Sequence, residues 1–120
     1  MTGVLIVAHG SRENGTENTM EAIRDYVQEE LGMEHIVEAY MEFRATNIAA
    51  GIQKLIDRGA DDIKIVPYFL FEGVHIKEDI PAEIAAFQAE HPNVKIRFGR
   101  TLGADRRLAA VLADRIREML

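Results

Sequence analysis

Val66-Pro67-Tyr68-Phe69-Leu70-Phe71-Glu72-Gly73-Val74-His75-Ile76-Lys77-Glu78-Asp79-Ile80-Pro81 starts as a buried strand and finishes as the head of a helix, with a glycine and a histidine in between. Pro67 has no N–H to give to a ladder, so regular pairing is expected to fail there. The aromatic run that follows then suits the wall of a cavity. Gly73 lets the backbone turn sharply or come close to a bulky ligand. His75 emerges just past that turn, and Asp79 followed by Pro81 reads as a helix cap with proline in the first turn.

Working outward, three more strand and helix pairs appear. Val4 to Ala8 is a continuous apolar run, as in a strand covered on both faces of a parallel sheet. It leads into His9-Gly10-Ser11-Arg12, after which Thr16 or Asn18 is placed to cap a helix bearing Met20, Ile23, Val27 and Leu31, ended by Gly32. His35 to Met41 carries Glu38 among apolar residues and reads as a less buried strand. A helix after Thr46-Asn47 presents Ile48, Ile52, Leu55 and Ile56 and stops at Gly59. The central stretch adds the third strand, Ile63 to Val66, and a helix from Asp79 to Glu90, closed by His91-Pro92. Val94 to Phe98 alternates like a strand with one wet face. A last helix from about Ala104 spaces Leu108, Val111, Leu112, Ile116 and Met119 helically.

Four strand-then-helix units imply an α/β fold: a four-stranded parallel sheet flanked by helices on both faces through right-handed crossovers. The first and third strands are the most apolar and belong in the centre, which gives the order 2-1-3-4. Such a sheet leaves a crevice at the carboxyl ends of strands 1 and 3, where the winding reverses and ligands bind. His9 follows strand 1 and His75 follows strand 3, so topology alone carries both histidines to one crevice.

Composition narrows the chemistry. The 120 residues, 48% of them hydrophobic, suit one globular domain. No apolar run has the length to cross a bilayer, and the chain enters strand-like sequence without a basic flank, so a soluble, cytoplasmic protein is expected. With no cysteine, a metal must be held by histidine, carboxylate or the ligand itself. A formal charge of −6 argues against nucleic-acid or anionic-membrane surfaces. Arg12, Arg44, Lys77 and Arg100 nevertheless each lie in the segment that follows a strand and would form a local anion-binding rim.

A neutral imidazole accepts a proton near neutral pH or binds a divalent transition metal, and two are too few for a closed structural site. An open site completed by the substrate fits better. His35 and His91 have no comparable support and are read as structural. Ser11 either donates to an anion or caps its loop, and Glu42 is either an exposed carboxylate or a proton carrier. Of Tyr68, Phe69, Leu70 and Phe71, only half can face inward if the chain is extended. A flat hydrophobic ligand or a partner subunit would cover the rest.

Ala8-His9-Gly10-Ser11-Arg12, Met41-Glu42-Phe43, the segment from Val66-Pro67 through Gly73 and His75 to Asp79-Ile80-Pro81, and Gly103-Ala104-Asp105 together resemble the small sirohydrochlorin chelatases, the short form of the class II chelatases. The resemblance spans the chain and implies a single chelatase-like, flavodoxin-like domain over 1-120. It implies insertion of a divalent metal (Co2+, Ni2+ or Fe2+ as substrate) into sirohydrochlorin, an eight-carboxylate tetrapyrrole, with no permanently bound cofactor or nucleotide. Cobalt is the first expectation. Homodimers whose sites share a central cleft are also implied. By position, His9 matches the proton acceptor and metal ligand and His75 the second metal ligand. Arg44, Phe69, Leu70, Phe71, Glu72, Gly73 and Val74 match substrate-binding positions, joined by Ser11, with Glu42 as a possible proton carrier. Thr46-Asn47-Ile48 departs from the proline-containing turn expected there, and the histidine-rich insertion of some members is absent.

Two other classes compete. A tetrapyrrole or metal carrier would use the same histidines without turnover. A flavodoxin-like phosphate or nucleotide binder would use Gly10 to Gly15, which lacks the glycine spacing and lysine of phosphate cradles. A histidine phosphatase needs an arginine before His-Gly, where Ala8 stands.

Overall fold

A computed structural model describes residues 1–120 apart from Asn14, Phe43 and the side chain of His75. Its elements are β1 (Thr2–Ala8), α1 (Thr16–Leu31), β2 (Ile36–Tyr40), α2 (Ile48–Asp57), β3 (Asp62–Pro67), a π-helical turn His75–Asp79 running into α3 (Ile80–Glu90), β4 (Lys95–Phe98) and α4 (Arg106–Arg117). The strands are parallel and ordered β2-β1-β3-β4, as the apolar ranking of the strands predicts.

Period-two alternation divides the strand residues between two cores. On one face Leu5, Val7, Val37, Ala39, Ile63 and Ile65 meet Ile48, Ile52 and Leu55 of α2 and Ile80 and Ile84 of α3. On the other, Ile6, Ala8, Ile36 and Tyr40 lie against Met20 of α1. Covered by both α1 and α2, β2 is more buried than its glutamate suggests: Ile36, Val37, Ala39 and Tyr40 are all inside. Glu38 is accommodated because Arg24 of α1 reaches it at 3.0 Å.

The end of the sheet at β3 and β4 is different. Lys64, Lys95 and Arg97 are exposed, and α4 lies away from them with no buried residue. Its predicted apolar face exists, but Val111, Leu112, Ile116 and Met119 are open to solvent. A surface of lysine and arginine offers that stripe nothing to pack on.

Two caps also differ from the sequence reading. α1 is capped by Gly15 with no side-chain hydrogen bond, so neither Thr16 nor Asn18 has that role. Asp79 makes no side-chain cap either, because the chain is already helical when it arrives there, having entered from Val74 through the π turn. Asn47 and Asp105 do cap, accepting from the amides of Ala50 and Arg107. No helix of the described residues is long and apolar enough to cross a membrane.

Candidate metal and substrate site

Backbone pairing runs beyond the strands and builds the site. Past the end of β1, the amide of Met41 donates to Ala8 O and that of Glu42 to His9 O, each at 3.0 Å. On the other side Tyr68 N donates to Val7 O at 2.7 Å. The loops after β1, β2 and β3 are thereby fixed to one another at the carboxyl edge. Gly10 makes the approach possible: its φ is +95°, and a Cβ there would overlap the Glu42 carbonyl oxygen.

His9 Nε2 lies 3.5 Å from Glu42 Oε2, with the two side chains 60% and 52% exposed. The His9 ring meets Phe69 edge to face, centroids 6.4 Å apart and planes at 84°. An open imidazole therefore has both a carboxylate and an aromatic ring beside it. The ring of His75 lies outside the described residues. Its backbone opens the π turn after β3, at the same edge of the sheet, and π turns recur at functional sites. Among the described residues no group of three or more histidines and carboxylates could hold a metal, so His9 and Glu42 are the donors whose contact is defined.

The wall does not divide by strand alternation, because the chain leaves the strand after Pro67 and bends at Leu70 and Phe71. Phe69 packs against the core, whereas Tyr68, Leu70, Phe71 and Val74 face solvent, Phe71 being 78% exposed. Glu72 and Gly73 are exposed too. Gly73 has an ordinary negative φ, and nothing lies within 4 Å of where its Cβ would be. It marks open space beside the bends at Leu70 and Phe71, which leaves its backbone accessible to a bulky ligand. The amides of Leu102 and Gly103 donate to Phe69 O and Leu70 O, which attaches the wall to the loop before α4. A groove of about 940 Å³ results, lined by Tyr68, Phe69, Leu70, Leu102, Leu108 and Leu112 among others.

The cationic rim is only partly free. Lys77 and Arg100 are exposed. Arg44 is 19% exposed, donates from Nη2 to Glu13 O, and places Nη1 3.8 Å from Glu17 Oε1. Ser11 Oγ accepts from Glu13 N at 3.0 Å, so it caps its loop while keeping its hydroxyl proton available. Glu13 and Glu17 were not predicted here: no spacing in the sequence joins them to Arg44, and only the fold does. Tyr40 is 3% exposed, its hydroxyl has no hydrogen-bond partner among the described residues, and burial pushes its pKa up to about 12. His91 is stacked on Phe87 with centroids 4.2 Å apart, and its Nδ1 lies 3.1 Å from Phe87 O.

These features define a class: an open α/β protein whose switch-point crevice combines imidazole and carboxylate donors with an aromatic wall. The CbiX family profile matches residues 3–119. The sirohydrochlorin cobaltochelatase of Methanopyrus kandleri is 30% identical over all of this chain and 98% of its own length. The sirohydrochlorin ferrochelatase of Priestia megaterium is 32% identical over 98% of this chain, which spans 44% of that longer protein. Among solved structures, the sirohydrochlorin chelatase SirB from Bacillus subtilis subspecies spizizenii in complex with cobalt superposes with a TM-score of 0.88 at 26% identity. It is matched over 98% of this chain and 50% of its own. The chain belongs to the CbiX family.

Proposed function

We propose that the chain is a sirohydrochlorin chelatase, exchanging the two pyrrole N–H protons of the macrocycle for a divalent metal ion. The observation that carries this reading is the solvent-open His9–Glu42 pair, with the His9 ring in T-shaped contact with Phe69 at the crevice. Insertion needs a base beside the metal's path and a flat apolar surface for the ring. His9 binds the incoming metal or accepts a pyrrole proton, and Glu42 passes that proton to water. His75, following β3, is the second metal ligand. The ring lies along Phe69, Leu70, Phe71, Glu72, Gly73 and Val74, its carboxylates meeting Arg44 and the Ser11 hydroxyl.

Cobalt is the favoured metal substrate, in line with the name of the Methanopyrus kandleri relative. Nickel and iron compete, because imidazole accepts all three. Residues 1–120 act as one chelatase domain, in the cytoplasm. Each chain pairs with a second copy, a reading supported by the exposed stripe of α4 and by a groove too open to enclose a macrocycle alone.

Metal-free sirohydrochlorin and Co2+ with substoichiometric protein should give a spectral change that continues through many equivalents. Saturation at one equivalent would identify a carrier instead. His9→Ala and His75→Ala should each lower the insertion rate by about 100-fold or more while the fold persists. A near-normal rate in either removes that residue from the mechanism.

A further inference from the structure

Arg44 is the rim cation expected to meet a substrate carboxylate, yet it already has one. Its Nη1 lies 3.8 Å from Glu17 Oε1, and its Nη2 is bonded to the carbonyl of Glu13. The two contacts differ in kind. The carbonyl bond belongs to the backbone and holds the guanidinium at the top of α1. The carboxylate is at ion-pair distance, longer than a hydrogen bond, on a side chain 54% exposed. With its carboxylate half open to water and at a long 3.8 Å, such a pair is exchangeable. Glu17 also stands in the first turn of α1, where the helix dipole favours a negative charge whether or not Arg44 is present. It can therefore release Arg44 without becoming an unpaired buried charge.

We infer that Glu17 is a specificity-determining residue: it occupies the Arg44 guanidinium as an internal carboxylate and yields that place to a carboxylate of the substrate. This rests on Arg44 receiving the substrate. A tethered competitor of this kind has a high effective concentration beside Arg44. A free monocarboxylate competes with it poorly. A ligand already held along the Phe69 wall presents its own carboxylate intramolecularly and competes well. Glu17 thus lowers affinity for all anions but penalises small ones most, favouring ligands with several carboxylates on one rigid frame.

The test compares Glu17→Gln with wild type for sirohydrochlorin, by KM in cobalt insertion and by Kd from absorbance titration without metal. Both constants should fall about two- to fivefold, the range spanned by exposed ion pairs. Acetate inhibition should strengthen by a larger factor. Glu29→Gln, farther along α1 and exposed, removes the same charge from the protein and controls for general electrostatic attraction. In an Arg44→Ala background, Glu17→Gln should give no gain. Constants that stay unchanged relative to Glu29→Gln, rise, or improve equally without Arg44 would overturn the inference. If wild type binds sirohydrochlorin without inserting cobalt, the chelatase reading fails and the Kd comparison still decides on Glu17. If wild type does not bind it, both fail.

Discussion

The two ends of the sheet are built to opposite rules. At the β1–β2 end, α1 covers one face and α2 the other, strand residues are buried on both, and the loops beyond the strands are pinned by backbone hydrogen bonds. At the β3–β4 end one face is left to Lys64, Lys95 and Arg97 while α4 holds an apolar stripe in solvent. The closed end gains its rigidity from its own chain and carries His9 and Glu42. The open end leaves apolar area unburied, which a monomer stands to gain by covering and which a second copy can cover.

That contrast predicts unequal costs for the same chemical change. Leu55→Ala in α2 removes a fully buried side chain and should destabilise the fold by about 2–5 kcal/mol in denaturant unfolding. Leu112→Ala in α4, 63% exposed, should alter the stability of the isolated monomer by no more than about 0.5 kcal/mol. Similar losses at the two sites in dilute monomer would show that α4 is covered by its own chain, and the contrast would fail.

Gly10→Ala attacks the closed end at its tightest point. The substitution places an L-residue at φ +95° and a methyl against the Glu42 carbonyl, so a penalty of about 1–3 kcal/mol is expected. Because relief requires the Glu42 loop to retreat, insertion should fall far more than stability does. An active, fully stable Gly10→Ala would mean the two loops are not held together as described.

At the open end, Leu112→Glu should leave the far-ultraviolet helix signal intact and convert a dimer to monomer in sedimentation equilibrium. A wild type that is monomeric at micromolar concentration, or a Leu112→Glu that remains dimeric, would take α4 out of the interface.

How much of this could be read from the chain follows the same division. The order 2-1-3-4 was legible because Val4 to Ala8 and Ile63 to Val66 are the most apolar runs, and the crevice then followed from winding. His9 beside the wall was legible for that reason, since it needed only two strand ends at one edge. The burial of β2 was obscured by Glu38, whose charge is answered by Arg24 of α1, 14 residues away in sequence, a pairing that no local spacing reports. The position of α4 was hidden because a 3.6-residue period reports that a helix has an apolar face and is silent on what the face meets. Asp79 misled through local chemistry: aspartate followed by proline signals a start, but the π turn from His75 had already supplied helical backbone. Arg44 as an anchored cation was invisible, because its partners at Glu13 and Glu17 belong to another unit.

The smallest expected effect concerns Tyr40, at the closed end beneath the site. Burial raises its pKa to about 12, helped by the charges of Glu38 and Glu17 and opposed by Arg44. The fold thus favours the neutral phenol over the phenolate. Its contribution to stability is fully present below the ordinary tyrosine value of about 10 and is lost as pH rises through about 12. Tyr40→Phe cannot ionise, so it should lose less stability than wild type between pH 10 and pH 12. At neutral pH it should stay within about 1 kcal/mol of wild type, because it deletes a buried hydroxyl that has no partner among the described residues. A larger loss at neutral pH would place a bound water on that hydroxyl. A wild type whose alkaline unfolding matched that of Tyr40→Phe would mean the ring is far less enclosed than its 3% exposure indicates, and the closed end would be looser than its loops imply.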